Sequence, residues 1–333
     1  MKIDNLNRLF PIRKKDQYFN SHHDHVESLF FQTIPSFLLS LYGRKKRQPE
    51  NKLDWVAQDT PLVMSHDPLV TWIGHATFLI QVGGLNVLTD PIFGNASPFF
   101  PRLLPPGIAL AQLPPIDIVL ISHNHRDHCD LRSLHALQKS HPHMHLMVAA
   151  GDKKWLLKKG FKQVDEFEWW QTHTRGAVEF TFLPAHHWSA QGVFDRNRSL
   201  WGSWMISSPI HVEESAKSSS RNTIYFAGDT SYSDHFNHIA KEHPHIDVAL
   251  MPIAPEFPHP SMRKSHMDSH QAVQAFVDLK AATFVPMHWG TFAFGTDTFL
   301  GPIERLQRAW RMQELLAHKN LIIPKVGQRI TLV

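Results

Sequence analysis

The stretch that most constrains this chain is a short apolar run, IVLIS at 118–122, which passes without a break into HNHRDH at 123–128. The run follows Pro114 and Pro115 and concentrates Ile and Val, the pattern of a strand buried on both faces. A hydrophobic interior does not tolerate His123, His125, Asp127 and His128 without partners. Other segments must therefore bring polar groups to the same place. If the strand continues past Ser122, alternation sends His123, His125 and Asp127 to one side, and a turn lets His128 approach from another angle. Neutral imidazoles and a carboxylate suit zinc or another borderline divalent ion. Four close ligands split two and two would serve two metals, with further ligands drawn from elsewhere. A single histidine among the 25 in the chain says little, whereas this spacing directly after a buried strand says a good deal.

Composition bounds the rest. The chain has 333 residues, 42% apolar and 19% charged, which is ordinary for a globular protein with a large core. Against 34 Lys and Arg stand 30 Asp and Glu, a net charge of +4 too diffuse to argue for nucleic acid. Cys129 is the only cysteine. No disulfide can form within the chain, and the thiol reads as a small buried neighbour of the motif rather than a ligand. The first 20 residues lack an apolar signal core, and no apolar run approaches the ~20 residues that span a bilayer. A cytoplasmic protein is expected.

Taken in order, residues 1–60 read as an N-terminal extension and 61–333 as one catalytic domain. The cluster His22, His23, Asp24 and His25 follows no buried strand and reads as solvated. Residues 28–42 are strongly apolar and run into Gly43 and the basic residues 44–47. They read as a packed helix with a solvated loop, or as an interfacial segment with cations on lipid headgroups. Short strands are predicted at 69–73, 78–82 and 86–89, with Gly83 and Gly84 making a tight hairpin. Asp90 closes the last of these. Residues 91–115 form a long loop rich in proline, phenylalanine and leucine, read as a binding lip or lid. A helix is predicted at 131–139 and strands at 145–149, 178–183, 201–206, 223–227, 247–251 and 283–287. Asp268 and Gln271 form a capping box that opens a helix through 280. A helix at 303–316 and a strand at 328–333 close the chain. A histidine of the pair His186–His187, Asp229 and His288 each follow a predicted strand, so all the candidate ligands fall along one edge of a sheet-based α/β fold.

Together HNHRDH, AHHW at 185–188, GDT at 228–230 and HWG at 288–290 resemble the metallo-β-lactamase superfamily. TWIGHATFLI at 71–80, LTDPIF at 88–93, DRNRSLWGSW at 195–204 and HWGTFA at 288–293 are similar to its N-acylphosphatidylethanolamine-hydrolysing phospholipase D branch. The likeness covers about residues 68–300. It implies a four-layer αββα sandwich and two zinc ions per chain. His123, His125 and His187 would hold one metal and Asp127, His128 and His288 the other, with Asp229 bridging. The choice of His187 over His186 follows the family, in which the histidine directly before tryptophan is the ligand. His266 matches a histidine close to the substrate phosphate, and His75 and Asp90 would support the ligands from behind. Arg126 stands where mammalian members carry an aromatic residue. A cation there can meet a phosphate, and the headgroup is left open.

The activity so implied is phospholipase D cleavage of an N-acyl phospholipid by a bridging hydroxide, with Asp127, Asp229 and His266 as catalytic groups. Other readings of the scaffold are a nuclease, a lactonase, a cyclic phosphodiesterase or a non-enzymatic metal-binding regulator. The apolar loop and the lack of a basic groove argue against the nuclease. A lipid substrate would bring peripheral contact with the membrane through residues 28–42, the basic run 44–47, and Phe99, Phe100, Leu103 and Leu104. The sequence leaves the oligomeric state open.

Overall fold

The computed structural model describes residues 8–21, 48–57, 59–210, 221–257 and 262–332. The clusters expected at 22–25 and 28–47 lie outside these. A small hairpin, β1 (Ile12–Lys14) and β2 (Gln17–Phe19), precedes the first sheet. That sheet is laid down by β3 (Leu69–Gly74), β4 (Thr77–Val82), β5 (Leu85–Thr89), β6 (Ile118–Leu120), β7 (His145–Ala149) and β8 (Val164–Phe167). Between its last three strands lie α1 (Leu131–Ser140) and α2 (Lys153–Lys158). The second sheet comprises β9 (Thr172–Arg175), β10 (Val178–Leu183), β11 (Ser203–Pro209), β12 (Arg221–Phe226), β13 (Val248–Pro252), β14 (Thr283–Met287) and β15 (Asn320–Leu321). Three helices accompany it: α3 (His235–Glu242), α4 (Ser269–Leu279) and α5 (Gly301–Arg311). The last strand, β16 (Arg329–Thr331), returns to pair antiparallel with β3.

Strand alternation makes the layers. In β4, Phe78, Ile80 and Val82 face the large core between the sheets, where they meet Phe180, Phe182, Trp204 and Phe226. Leu79 faces the other way, with Leu88, Val119 and Leu146, onto Leu134, Leu137 and Leu156 of α1 and α2. Phe236, Phe276 and Leu306, one from each of α3, α4 and α5, extend the large core on the far side of the second sheet. Both faces of each sheet are thus covered, which explains why the strands read as continuous apolar runs. The result is the expected αββα sandwich.

Chain direction positions the site. β5, β6 and β7 run parallel, as do β12, β13 and β14. β3 is two antiparallel steps from β5, and β10 two from β12, so each shares the direction of its group. The carboxyl ends of all these strands therefore point to one edge. The segments that follow them carry His75, Asp90, the 123–128 motif, Asp152, His187, Asp229, His266 and His288. Across that edge the sheets are laced together. Gly202 N–H donates to Ser122 O at 3.0 Å, and His288 N–H donates to His75 O at 3.2 Å.

Several sequence expectations are met: the turn between β4 and β5 has positive φ at both Gly83 and Gly84, and the capping box at Asp268 and Gln271 is formed. Others need correction. β6 stops at Leu120, so no strand alternation operates in the motif. Instead the backbone turns, and His125 O accepts from the N–H groups of His128 and Cys129. The helix expected at 303–316 ends at Arg311 and is followed by a 3-10 turn, Glu314–Leu316.

The loop 91–115 is a packed strap rather than a free lip. Ile92, Leu104 and Ile108 are buried. The Arg102 guanidinium ties the loop down by donating to the carbonyls of Ile73, Ile92 and Leu104. Phe100 packs on Phe294 and Leu103 on the core, which leaves Phe99 as its well-exposed large apolar side chain. Parts of the N-terminal extension are packed on the sandwich: Tyr18 enters the core, and Asn20 donates to His187 O at 3.2 Å. Among the described residues, no helix is long and apolar enough to cross a membrane.

Candidate metal centre

Two groups of side chains converge at the common edge. His123, His125, His187 and Asp229 form one, and His75, Asp127, His128 and His288 the other; within each, one donor atom per residue lies within 4.8 Å of the rest. His125 Nδ1 is 2.8 Å from His123 Nε2 and 3.2 Å from His187 Nε2. His128 Nε2 is 3.3 Å from His288 Nε2 and 3.4 Å from Asp127 Oδ2. Asp229 stands between the groups. Its Oδ2 is 3.2 Å from His128 Nε2 and 3.8 Å from His187 Nε2, and its Oδ1 is 3.0 Å from His288 Nε2.

These separations suit metal ligation. Ligands 2.0–2.1 Å from a tetrahedral zinc stand about 3.3 Å from one another. The charge balance points the same way. Burial alone would lower the His128 pKa, yet the carboxylates of Asp229 and Asp127 outweigh it and hold the imidazolium well above the ordinary range. Burial likewise works against ionisation of Asp127 and Asp229, but the surrounding histidines hold both carboxyls well below the usual values. The surrounding imidazoles thus balance the two buried carboxylates, and imidazole with carboxylate is a donor set that a divalent cation fits.

The imidazoles are aimed from behind. His187 Nδ1–H donates to Ser265 O at 2.8 Å, which leaves the Nε2 lone pair toward the site. Asp90, fully buried, does the same for two others. Its Oδ2 accepts from His128 Nδ1–H at 2.7 Å and from Ser122 Oγ–H at 2.6 Å. Ser122 Oγ in turn accepts from His123 Nδ1–H at 2.9 Å. One carboxylate thus sets the tautomer of an imidazole in each group, the arrangement by which outer groups tune metal ligands. His75 Nε2 lies 2.9 Å from Asp127 Oδ2, and burial presses its pKa down to about 3. His75, Asp90 and His288 all hold positive φ, a strain typical of functional edges. Gly228 is needed beside Asp229, because a Cβ there would come within 2.5 Å of Ser122 Cβ.

His266 sits over the junction of the groups, with Nδ1 3.7 Å from Asp229 Oδ2 and its pKa lowered by burial to about 4. His186 joins neither group. Cys129 is buried, its thiol pKa raised by burial, and it is in neither group. Arg126 also stays out of both; its Nε donates to Gln191 O at 2.9 Å, at the edge of a separate pocket.

Sequence reasoning missed a clamp on the motif. Asn124 Nδ2 donates to Asp152 Oδ1 at 2.9 Å, and Ser199 Oγ donates to the same oxygen at 2.7 Å. Asp152 follows β7 as Asp90 follows β5, so a carboxylate just past a strand end was the available signal. Burial pushes the Asp152 carboxyl up to about 7 despite these hydrogen bonds. An unfolded chain releases that proton near pH ~4. From there to about pH 7 the folded state alone retains it, so stability falls as pH rises, by up to about 1.4 kcal/mol per pH unit. Asp152→Asn keeps an acceptor oxygen and does not titrate. Its melting temperature should gain on that of the wild type between pH 5 and pH 8, the range flanking the shifted value of about 7. A constant difference across that range would refute the buried titration.

Comparison with known proteins agrees with this picture. Residues 85–289 match the family described as the beta-lactamase superfamily domain. A protein of Mycobacterium tuberculosis (strain ATCC 25618 / H37Rv), itself uncharacterised, is 33% identical over 272 residues, 78% of this chain and 68% of the relative. An N-acyl-phosphatidylethanolamine-hydrolyzing phospholipase D of Caenorhabditis elegans is 28% identical over 274 residues, 78% of this chain and 74% of the relative. A metallo hydrolase from Ignicoccus hospitalis shares the fold, with TM-score 0.59 and 20% identity over 79% of this chain and 97% of that one. The family match begins at β5 and runs through the loop after β14, spanning most of the strand ends that carry the two groups. The chain belongs to the metallo-β-lactamase superfamily, a superfamily of metal-dependent hydrolases.

Proposed function

We propose that the protein is a binuclear zinc phosphodiesterase of phospholipase D type. It would hydrolyse N-acylphosphatidylethanolamine-like phospholipids to phosphatidic acid and an N-acylethanolamine. The carrying observation is Asp229, one carboxylate reached from both imidazole-rich groups: its Oδ2 is 3.8 Å from His187 of one, and its Oδ1 is 3.0 Å from His288 of the other. His123, His125 and His187 would hold one ion, Asp127, His128 and His288 the other, and Asp229 both. When bound, the pair would lower the pKa of a shared water toward about 7 and neutralise charge on the phosphoryl oxygens.

The chain's own groups do the rest. Asp90 and Ser265 O keep the imidazole lone pairs aimed inward, and His75 holds Asp127 in place. His266, neutral at pH 7 because burial has lowered its pKa to about 4, can hydrogen-bond a phosphoryl oxygen without adding positive charge. Lipid over nucleic acid is supported by the aromatic wall beside the second group. His75 packs on Phe292 and Phe294, and Phe294 packs on Phe100. The relative from Caenorhabditis elegans supports the same reaction class.

Metal analysis of zinc-grown protein should return about two ions per chain, since seven ligands exceed what one tetrahedral ion accepts. One ion or none would refute the binuclear reading. The zinc-loaded protein should then be offered N-acylphosphatidylethanolamine, a cyclic nucleotide, a lactone and RNA, with products identified by mass. Phosphatidic acid and N-acylethanolamine are expected in equal amounts. In ¹⁸O-labelled water the label should enter phosphatidic acid, because attack is at phosphorus. Turnover confined to the other substrates would overturn the assignment.

A further inference from the structure

A pocket of about 550 Å³ opens on the outer side of the motif turn, separate from both ligand groups. Its walls carry three cations, Arg126, Arg132 and Lys159, and two carboxylates, Asp130 and Asp195. Both carboxylates accept hydrogen bonds from neighbouring residues. Asp130 caps α1, accepting from Ser133 N–H at 3.2 Å and Ser133 Oγ–H at 2.7 Å. Asp195 accepts from the N–H groups of Gln191 and Gly192 at 3.0 and 2.8 Å. Arg132 keeps a 3.4 Å contact with Asp130, but among the described residues no carboxylate pairs with Arg126 or Lys159. Two of the cations are fastened to the walls: Arg126 Nε donates to Gln191 O at 2.9 Å and Arg132 Nη2 to Asn95 O at 2.6 Å. Trp155 supplies a partly buried apolar surface between them.

From this juxtaposition we infer that the pocket is an anion subsite for the substrate. It takes a second negatively charged group, a carboxylate or phosphate on an apolar stem some distance from the scissile phosphodiester, so the favoured substrate is an N-acyl phospholipid bearing a further anion that N-acylphosphatidylethanolamine itself lacks. The substrate's own anion is favoured over a free effector because Arg126 lies in the backbone between His125 and Asp127. The pocket and the metal centre therefore share one wall. Three cations against two carboxylates leave the walls one positive charge in excess, carried by Arg126 and Lys159, which pair with no carboxylate among the described residues. The inference rests on the phosphodiesterase reading for its kinetic consequence, though not for binding itself.

The test compares the metal-loaded wild type with Arg132→Glu/Lys159→Glu, both positions being exposed. Two substrates are used, carboxybutyl p-nitrophenyl phosphate and its methyl ester. The ratio of their kcat/KM values should fall about tenfold or more in the variant, because charge reversal penalises only the tethered carboxylate. In parallel, naphthalenesulfonate, an anion with little affinity for zinc, is titrated calorimetrically. It should bind the wild type at one site, compete with the carboxylate substrate, and bind the variant about tenfold more weakly or worse. An unchanged ratio, or equal sulfonate binding by both proteins, overturns the subsite. If the wild type hydrolyses neither diester, the phosphodiesterase reading fails, and the sulfonate titration alone decides the pocket.

Discussion

Asp229→Ala should lose turnover by roughly a thousandfold or more, since in the proposed binuclear centre each metal would supply several kcal/mol of transition-state stabilisation and about 1.4 kcal/mol is tenfold. The reason is geometric. Asp229 Oδ1 faces His288, while Oδ2 faces His128 and His187, so truncation strips a donor from both groups at once. It also leaves the remaining imidazoles without the carboxylate that offsets cation charge. Zinc should fall below two ions per chain, and the affinity of both positions should weaken together in competition with a chelator. A variant that lost only one ion would instead place Asp229 in a single group. Retained turnover with two ions bound would remove it from the centre.

Asp90→Asn is the more discriminating change, because it keeps size and touches no substrate. The carboxylate accepts three hydrogen bonds: Ser122 N–H at Oδ1, and Ser122 Oγ–H and His128 Nδ1–H at Oδ2. An amide offers one acceptor oxygen and one donor nitrogen. Turned one way, its NH₂ meets the Ser122 N–H. Turned the other way, it forces His128 and, through Ser122, His123 toward tautomers whose Nε2–H points into the site. The first sets a donor against a donor in a fully buried place, and the second takes the Nε2 lone pairs away from the site. Loss of such a supporting group costs about 10–100-fold in metal affinity or activity. Zinc affinity should therefore drop in both groups while the fold persists by circular dichroism. Wild-type zinc affinity and turnover in this variant would show that Asp90 is only a packing residue.

Much of the site could be read from residue types at strand ends. As candidates, His123, His125, Asp127 and His128 stood out by density, and Asp229, His288 and the pair His186–His187 by following apolar runs, with the resemblance alone choosing His187. The route by which the motif reaches the site was not readable, because strand and turn share the same residues. Alternation would have put His123, His125 and Asp127 together. The turn after Leu120 places Asp127 with His75, His128 and His288 instead. The elements α2, β8 and β9 escaped notice for a related reason. Each is only four to six residues long and rich in charged or polar groups, so no period stands out. The loop 91–115 misled by composition alone, since Ile92, Leu104, Ile108 and Leu113 pack inward under the Arg102 tie.

What the sequence determined by itself is the chemistry: imidazoles and carboxylates that an apolar interior must partner, placed where buried strands end. What only the tertiary structure decided is the sorting of those donors into two groups, and the identity of the quiet residues that aim them. Ser122, Asn124 and Ser265 O carry no signature of their own. Their roles depend on distances between segments tens of residues apart, such as Ser122 Oγ to Asp90 at 2.6 Å and His187 Nδ1 to Ser265 O at 2.8 Å. Local pattern records which groups must be satisfied, but hydrogen bonds form between whichever partners the packed sheets bring within reach.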